Sequence, residues 1–200
     1  MSKILVATQN AGKLEEIQAL LDDLPVELIT PTQLDLDLAI AETGSSYAEN
    51  AALKAVAYAR ASGLLSLADD SGLEVDALDG QPGLHSARFA PWPGASDADR
   101  RALLLEKLHL KPRPWSARFR CVVAVASPSG EVQFAQGICL GEVIPEERGA
   151  NGFGYDPIFF IPEMRKTMAE LDMAEKNTLS HRGRAVQAAV PILLKILKNL

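Results

Sequence analysis

The chain has 200 residues, 48% of them hydrophobic, and carries a formal net charge of −6. That length suits one domain, or two closely joined lobes, with a sizeable core. The acidic balance speaks against a general nucleic-acid binder, whose footprint is basic, but leaves room for an anionic small molecule where local cations outweigh the global sign.

The opening reads as strand, helix, strand. Lys3 to Thr8 is short and rich in branched apolar residues, which predicts a buried strand. Gln9-Asn10-Ala11-Gly12 is a turn, and Lys13 to Leu24 follows as an amphipathic helix with Leu14, Ile17, Leu21 and Leu24 on one stripe. Pro25 stops it, and Val26 to Thr30 predicts a second strand. This alternation points to an α/β fold.

Asp35 to Glu42 is irregular and acidic. Tyr47 to Ser62 is so rich in alanine that it predicts a helix buried nearly all round, on which Asn50 and Lys54 stand four apart and share a face. The apolar run from Leu64 to Ala68 predicts a strand that ends in two adjacent carboxylates, Asp69 and Asp70, before a turn at Ser71-Gly72.

Leu78 to Gly94 is loop-like. Ser96 or Asp97 caps a helix to about Leu110, and Pro112 and Pro114 break the chain. Arg118 to Ser127 and Glu131 to Ile144 predict an antiparallel pair around Pro128-Ser129-Gly130. Cys121 and Cys139 lie about equally far from that turn and read as small buried hydrophobes; no cysteine motif suggests zinc. Gly149 to Asp156 is rich in glycine and aromatics, Thr167 to Lys176 predicts a short helix, and Gly183 to Leu200 a last helix with Pro191 as a kink. The N-terminus lacks a signal-peptide pattern and no apolar run approaches the length of a membrane span, so a cytoplasmic protein is expected.

Four segments carry candidate chemistry. Thr8-Gln9-Asn10-Ala11-Gly12-Lys13 joins a strand to a helix, where backbone N–H groups attract anions and Lys13 adds a full charge. Taken alone, it reads as an ordinary strand-to-helix turn. Asp69-Asp70-Ser71-Gly72 brings two carboxylates side by side. Like charges repel unless a cation stands between them or one holds a proton, so the pair suggests Mg²⁺, with Glu42 completing the set. Phe153-Gly154-Tyr155-Asp156 offers a stacking face to a base, or a packed turn. Ser180-His181-Arg182-Gly183-Arg184, with Lys176 upstream, places cations at a helix start, where the dipole disfavours them; an anion or a carbonyl-bearing ligand gives them a reason to be there.

Together these segments carry a resemblance. The chain is similar, essentially end to end, to the inosine/xanthosine triphosphate pyrophosphatases. The matching residues run Thr8-x-Asn10-x-x-Lys13, Glu42-Thr43-Gly44, Glu49-Asn50-Ala51 with Lys54, Ala68-Asp69-Asp70-Ser71-Gly72-Leu73, Pro82-Gly83 with Ser86-Ala87-Arg88, Gly152-Phe153-Gly154-Tyr155-Asp156-Pro157, Lys166-Thr167 with Ala169-Glu170, Lys176, and Ser180-His181-Arg182-Gly183. Gln9 stands where many relatives have a small residue.

The resemblance implies an elongated mixed sheet flanked by helices, in two lobes with a central cleft, as a homodimer. It implies Mg²⁺-dependent hydrolysis of ITP, dITP and XTP to the monophosphate and pyrophosphate. The acidic balance and the lack of a long apolar run predict no nucleic-acid and no membrane partner. By motif match, Asp70 is the proton acceptor and a metal ligand and Glu42 the further ligand. Thr8, Gln9, Asn10, Ala11, Gly12, Lys13, Lys54, Ser71, Phe153, Gly154, Tyr155, Asp156, Lys176, His181 and Arg182 bind the nucleotide. Two other readings stay open: a related pyrophosphatase acting on modified pyrimidine nucleotides, and a nucleotide-binding regulator without turnover.

Overall fold

The computed structural model describes residues 2–198. Strand β1 (Ser2–Val6) pairs in parallel with β2 (Val26–Ile29) on one side and β3 (Leu65–Val75) on the other, and α1 (Ala11–Leu21) makes the crossover from β1 to β2. The strand-helix-strand opening is therefore observed. The remaining strands are β4 (Trp115–Ala126), β5 (Val132–Val143), β6 (Phe159–Ile161) and β7 (Lys166–Thr167). The seven run in the order β2-β1-β3-β4-β5-β6-β7, with β5, β6 and β7 joined antiparallel, which makes the sheet mixed. The turn from β4 to β5 closes with Ser127 N–H to Glu131 O at 2.9 Å.

The chain divides into two compact units. The first comprises the segment up to Asp70, Cys121–Gly137 and the segment from His181 onward. Its sheet is covered on both faces. On one face Ile4, Val6, Leu65, Leu67, Cys121, Val123 and Val125 pack with Ile17 and Leu21 of α1 and with Ala185, Val186, Ala189 and Leu193 of α5 (His181–Leu197). On the other, Leu5, Ala7, Ala68, Ala124 and Ala126 pack with Ala51, Ala55, Tyr58 and Ala59 of α2 (Tyr47–Ser62). Alanine on α2 lets the helix lie close to the sheet, and its buried face explains the composition; Leu53 on the other side is exposed.

The second unit is Ser71–Arg120 with Ile138–Ser180. Its core gathers Leu104 and Leu108 of α3 (Asp97–Leu108) with Trp115, Phe119, Tyr155, Ile158, Phe159 and Met168. Phe119 and Phe159 meet at 4.5 Å between ring centroids.

Several boundaries differ from the sequence reading. β3 does not end at the acid pair: it continues through Ser71 and Gly72 to Val75, with Leu73 and Val75 fully buried. A six-residue 3₁₀ segment, Gly83–Arg88, replaces part of the loop. The region 167–176 is not one helix. Thr167 caps a single 3₁₀ turn, Met168–Glu170, and Asp172 caps α4 (Met173–Leu179). Each of these two caps forms a capping box with an acid three residues on, so two short helices start where one was expected. The last helix begins at His181, two residues earlier than expected, and Pro191 lies within it. The two cysteines are free thiols in different clusters, Cys121 in the first unit and Cys139 in the second.

Candidate active site

Side chains alternate across a strand. On β3, Leu65 and Leu67 face α1 and α5, while Ala68 faces α2. Asp69 and Asp70 inherit that alternation. The sequence reading left two ways to tolerate the pair, a cation between the acids or a proton on one of them; in the structure each carboxylate takes its nearest partners from its own side of the strand.

Asp69 is fully buried among charges. Its Oδ2 accepts from Lys13 Nζ at 3.0 Å and from Arg182 Nε and Nη2 at 3.3 Å each, and Cys121 Sγ lies at 3.7 Å. Arg182 is 2% exposed and also donates through Nη1 to Glu16, a buried carboxylate on α1. Burial pushes the Asp69 carboxyl up, but the Lys13, Arg182 and Lys54 charges outweigh it and hold the group ionised far below the ordinary aspartate range. Burial pulls the Arg182 guanidinium down, and Asp69 and Glu16 more than restore it. Burial likewise pushes the Cys121 thiol up, so it stays protonated and unreactive.

Asp70 faces α2. Its Oδ2 accepts from Asn50 Nδ2 at 3.2 Å, and its Oδ1 lies 3.6 Å from Lys54 Nζ. Lys54 bonds Glu42 at 2.7 Å, so one ammonium is shared by two carboxylates. Asn50 is held in turn by Gly44, whose N–H donates to Asn50 Oδ1 at 2.8 Å. A Cβ on Gly44 would stand 2.7 Å from that oxygen, so the loop approaches this closely only with glycine. Burial is the largest influence on Asp70 and raises its proton affinity. Lys54 and Lys13 pull the other way, Glu42 adds to the rise, and the outcome lies above the ordinary aspartate range. Burial lowers Lys54, but Asp69, Asp70 and Glu42 overcome it and keep the ammonium charged.

The other expected residues of the first unit flank these groups. Asn10 caps α1, its side chain accepting from Lys13 N–H at 3.0 Å, and Thr8 Oγ1 accepts from Asn10 N–H at 3.2 Å. The Thr8–Lys13 turn thus stands at a helix N-terminus with Lys13 anchored on Asp69. Gln9 bonds Asp37. His181 and Arg182 open α5 and are both buried. A Cβ on Gly137 of β5 would stand 2.2 Å from the His181 carbonyl oxygen, so this glycine lets the start of α5 lie directly on the strand.

In the second unit, Asp156 Oδ2 accepts from Lys176 Nζ at 2.6 Å and from Phe153 N–H at 3.0 Å. Lys176 and Asp156 are both nearly fully buried, and the Lys176 ammonium lies 5.1 Å from the centre of the Phe153 ring. Tyr155 donates its hydroxyl to Ser86 O at 2.9 Å, and burial raises its proton affinity.

Glu16 and its pairing with Arg182 escaped the sequence reading. The available signal was an acid beside Ile17 on the apolar stripe of α1. Asp97 was read only as a cap. It in fact accepts from Gly154 N–H at 2.7 Å, and Arg101 donates to Gly154 O at 2.8 Å.

A model of the Ham1 family matches residues 4–192. The chain belongs to the Ham1 family. Curated relatives named dITP/XTP pyrophosphatase align along nearly the whole length. That of Desulforamulus reducens is 45% identical over 195 residues, covering 97% of this chain and 96% of the relative. That of Exiguobacterium sibiricum is 49% identical over 186 residues, covering 92% and 93%. Among solved structures, the Ham1 protein of Coxiella burnetii superposes with a TM-score of 0.88 at 43% identity, covering 98% of this chain and all of that one. The Ham1 protein of Staphylococcus aureus gives 0.83 at 38%. The resemblance read from the motifs and the mixed α/β sheet are both borne out. None of the described helices is long and apolar enough to cross a membrane.

Proposed function

We propose that this Ham1-family chain hydrolyses non-standard purine nucleoside triphosphates (ITP, dITP and XTP) to the monophosphate and pyrophosphate, the activity class for which its curated relatives are named. The observation that carries the reading is Asp70: a carboxylate 7% exposed, oriented by Asn50, with its proton affinity raised by burial. A base poised in that way takes the proton of an attacking water better than a solvated carboxylate does.

The bond that breaks joins the α- and β-phosphates, and negative charge grows on the departing pyrophosphate. Lys13 and the N-terminus of α1 suit those oxygens, because the helix N-terminus and the ammonium reinforce each other. Asp69 holds Lys13 in place. Lys54 adds a second cation beside Asp70, and Ser71 is assigned a substrate contact.

Glu42 and Asp70 fit a divalent ion of the magnesium kind. They are hard oxygen donors already gathered around one positive charge, and Mg²⁺ takes one or two carboxylates and fills its shell with water and phosphate oxygen. When bound, such an ion neutralises charge on the phosphates.

Phe153, Gly154, Tyr155, Asp156 and Lys176 are assigned to the nucleoside, with the Phe153 ring as stacking surface. His181 is assigned to the C6 oxygen of hypoxanthine or xanthine, an acceptor where adenine has a donor. By motif match Arg182 stands with His181 among the nucleotide-binding residues. Its guanidinium is committed to Asp69 and Glu16, so we assign it to fixing Asp69 and thereby Lys13. We also propose a homodimer, to which the exposed Phe134 and Leu140 side chains lend support.

Product analysis with Mg²⁺ and ITP, beside ATP and GTP at matched concentration, tests the reading. Inosine monophosphate plus pyrophosphate, with little turnover of the other two, supports it. Orthophosphate release or equal turnover of all three overturns the substrate assignment.

A further inference from the structure

The Gly152-Phe153-Gly154 stretch has two residues with positive φ, +73° at Gly152 and +62° at Gly154. Glycine reaches those angles at no steric cost, but it also loses the most freedom when a loop is fixed. A Cβ at Gly154 would meet nothing within 4 Å, so packing does not immobilise that residue. Hydrogen bonds do. Asp97 Oδ2 accepts its N–H at 2.7 Å, and Arg101 Nη1 donates to its carbonyl at 2.8 Å.

Asp97 and Arg101 are four apart on α3 and therefore share a face of that helix. Both are braced. Arg100 donates to Asp97 and also to Ala95 O at 2.8 Å. Arg101 is 12% exposed in its side chain and grips Glu147 with two bonds, Nε to Oε1 at 2.8 Å and Nη2 to Oε2 at 3.0 Å. Burial pushes the Asp97 carboxyl up, but the Gly154 N–H and Arg100 outweigh it and keep it ionised, the better acceptor for a backbone donor. The whole arrangement lies within the second unit.

We propose that Asp97 and Arg101 are positioning residues for nucleotide binding: a clamp that fixes both polar groups of Gly154 and so sets the orientation of the neighbouring Phe153 ring. The proposal rests on the assignment of Phe153 to the nucleoside. A clamp of this kind acts on substrate affinity, because it removes freedom that the loop would otherwise lose on binding. It leaves the carboxylate chemistry of the first unit alone.

The test is steady-state hydrolysis of ITP with Mg²⁺ by Asp97→Ala, Arg101→Ala, Asp97→Asn and Phe153→Ala, with a thermal melt of each. Loss of one hydrogen bond to a charged group predicts a KM about tenfold higher for Asp97→Ala and for Arg101→Ala, with kcat changed by less than about threefold. Asp97→Asn keeps an acceptor oxygen and recovers most of the loss. Phe153→Ala raises KM at least as much. If Phe153→Ala raises KM while both alanine variants at the clamp, still folded by melting, keep the parent KM, the clamp is overturned and the nucleoside assignment stands. If Phe153→Ala leaves KM unchanged, the nucleoside assignment fails and the proposal with it. If Asp97→Ala does not fold, Arg101→Ala decides by the same criterion. An equal fall in kcat without a change in KM would also overturn it.

Discussion

Asp69 and Asp70 are bonded neighbours in the chain, yet Asp69 meets Lys13 and Arg182 from α1 and α5 while Asp70 meets Asn50 and Lys54 from α2. The alternation of a strand divides them and gives two identical carboxylates opposite environments. Asp69 holds two cations on its Oδ2 and stays ionised; Asp70 is partly desolvated and has its proton affinity raised. One dipeptide thereby carries a fixed anion and a carboxylate suited to the proton-accepting role proposed for Asp70.

Asp70→Asn keeps the shape and the contact to Asn50 but removes the acceptor of the water's proton. The expected loss in kcat for ITP is roughly 10²-fold or more, the low end of what a general base contributes. KM for ITP should change far less. A variant with near-full kcat would remove Asp70 from the role.

The contrast also marks how far the sequence reached. The α/β order, the two helices α1 and α2, and the strand carrying the acids were legible, because apolar periodicity and turn residues are local signals. That Asp69 and Asp70 part company was not read. A strand that ended at the pair, with a turn after it, would leave both acids at one tip. The apolar alternation resumes at Leu73 and Val75, past Gly72, and shows that the strand goes on. Glu16 was hidden for a different reason. Its partner Arg182 is 166 residues away, and only the folding of α5 against α1 joins them. The clamp on Gly154 is equally non-local, since Asp97 lies 57 residues from it. Motif matching reaches Arg182 and Gly154 but not Glu16, Asp97 or Arg101, which hold them in place.

Removing one member of a buried ion pair leaves an uncompensated charge. Arg182→Met strips two buried carboxylates of their shared cation, whereas Glu16→Gln leaves Arg182 still paired with Asp69. Urea denaturation should therefore show Arg182→Met destabilised by about 3–5 kcal/mol, with Glu16→Gln affected less. Equal stability of Arg182→Met and the parent would show that the cluster does not hold the fold.

Asp69 also predicts how stability responds to acid. Its native proton affinity is depressed below the ordinary value near 3.8. Below that pH the unfolded chain takes up a proton that the native state refuses, so stability falls as pH falls. Its contribution is complete above about pH 5 and drains away below about pH 4. Asp69→Asn, although less stable at neutral pH, should show a shallower loss between those conditions and pH 2. Parallel stability–pH curves for variant and parent would contradict the assignment.

Gly152 gives the sharpest steric prediction. Its φ of +73° already disfavours any side chain, and a Cβ there would stand 2.1 Å from Asp156 Oδ2 and 2.9 Å from Lys176 Nζ. That carboxylate oxygen is the one that receives both Lys176 and the Phe153 N–H. Gly152→Ala must therefore push Asp156 away, and one methyl group disrupts a buried ion pair and the loop it orients. The backbone strain alone is worth about 1–3 kcal/mol, so the melting temperature should fall by several degrees. KM for ITP should rise as the Phe153 ring loses its support. Gly154→Ala is the matched control: the backbone cost is similar, but no atom lies within 4 Å of the added methyl. Its effect on stability should be the smaller of the two, and a Gly152→Ala variant no worse than Gly154→Ala would mean that the Asp156–Lys176 pair yields to the methyl group without loss.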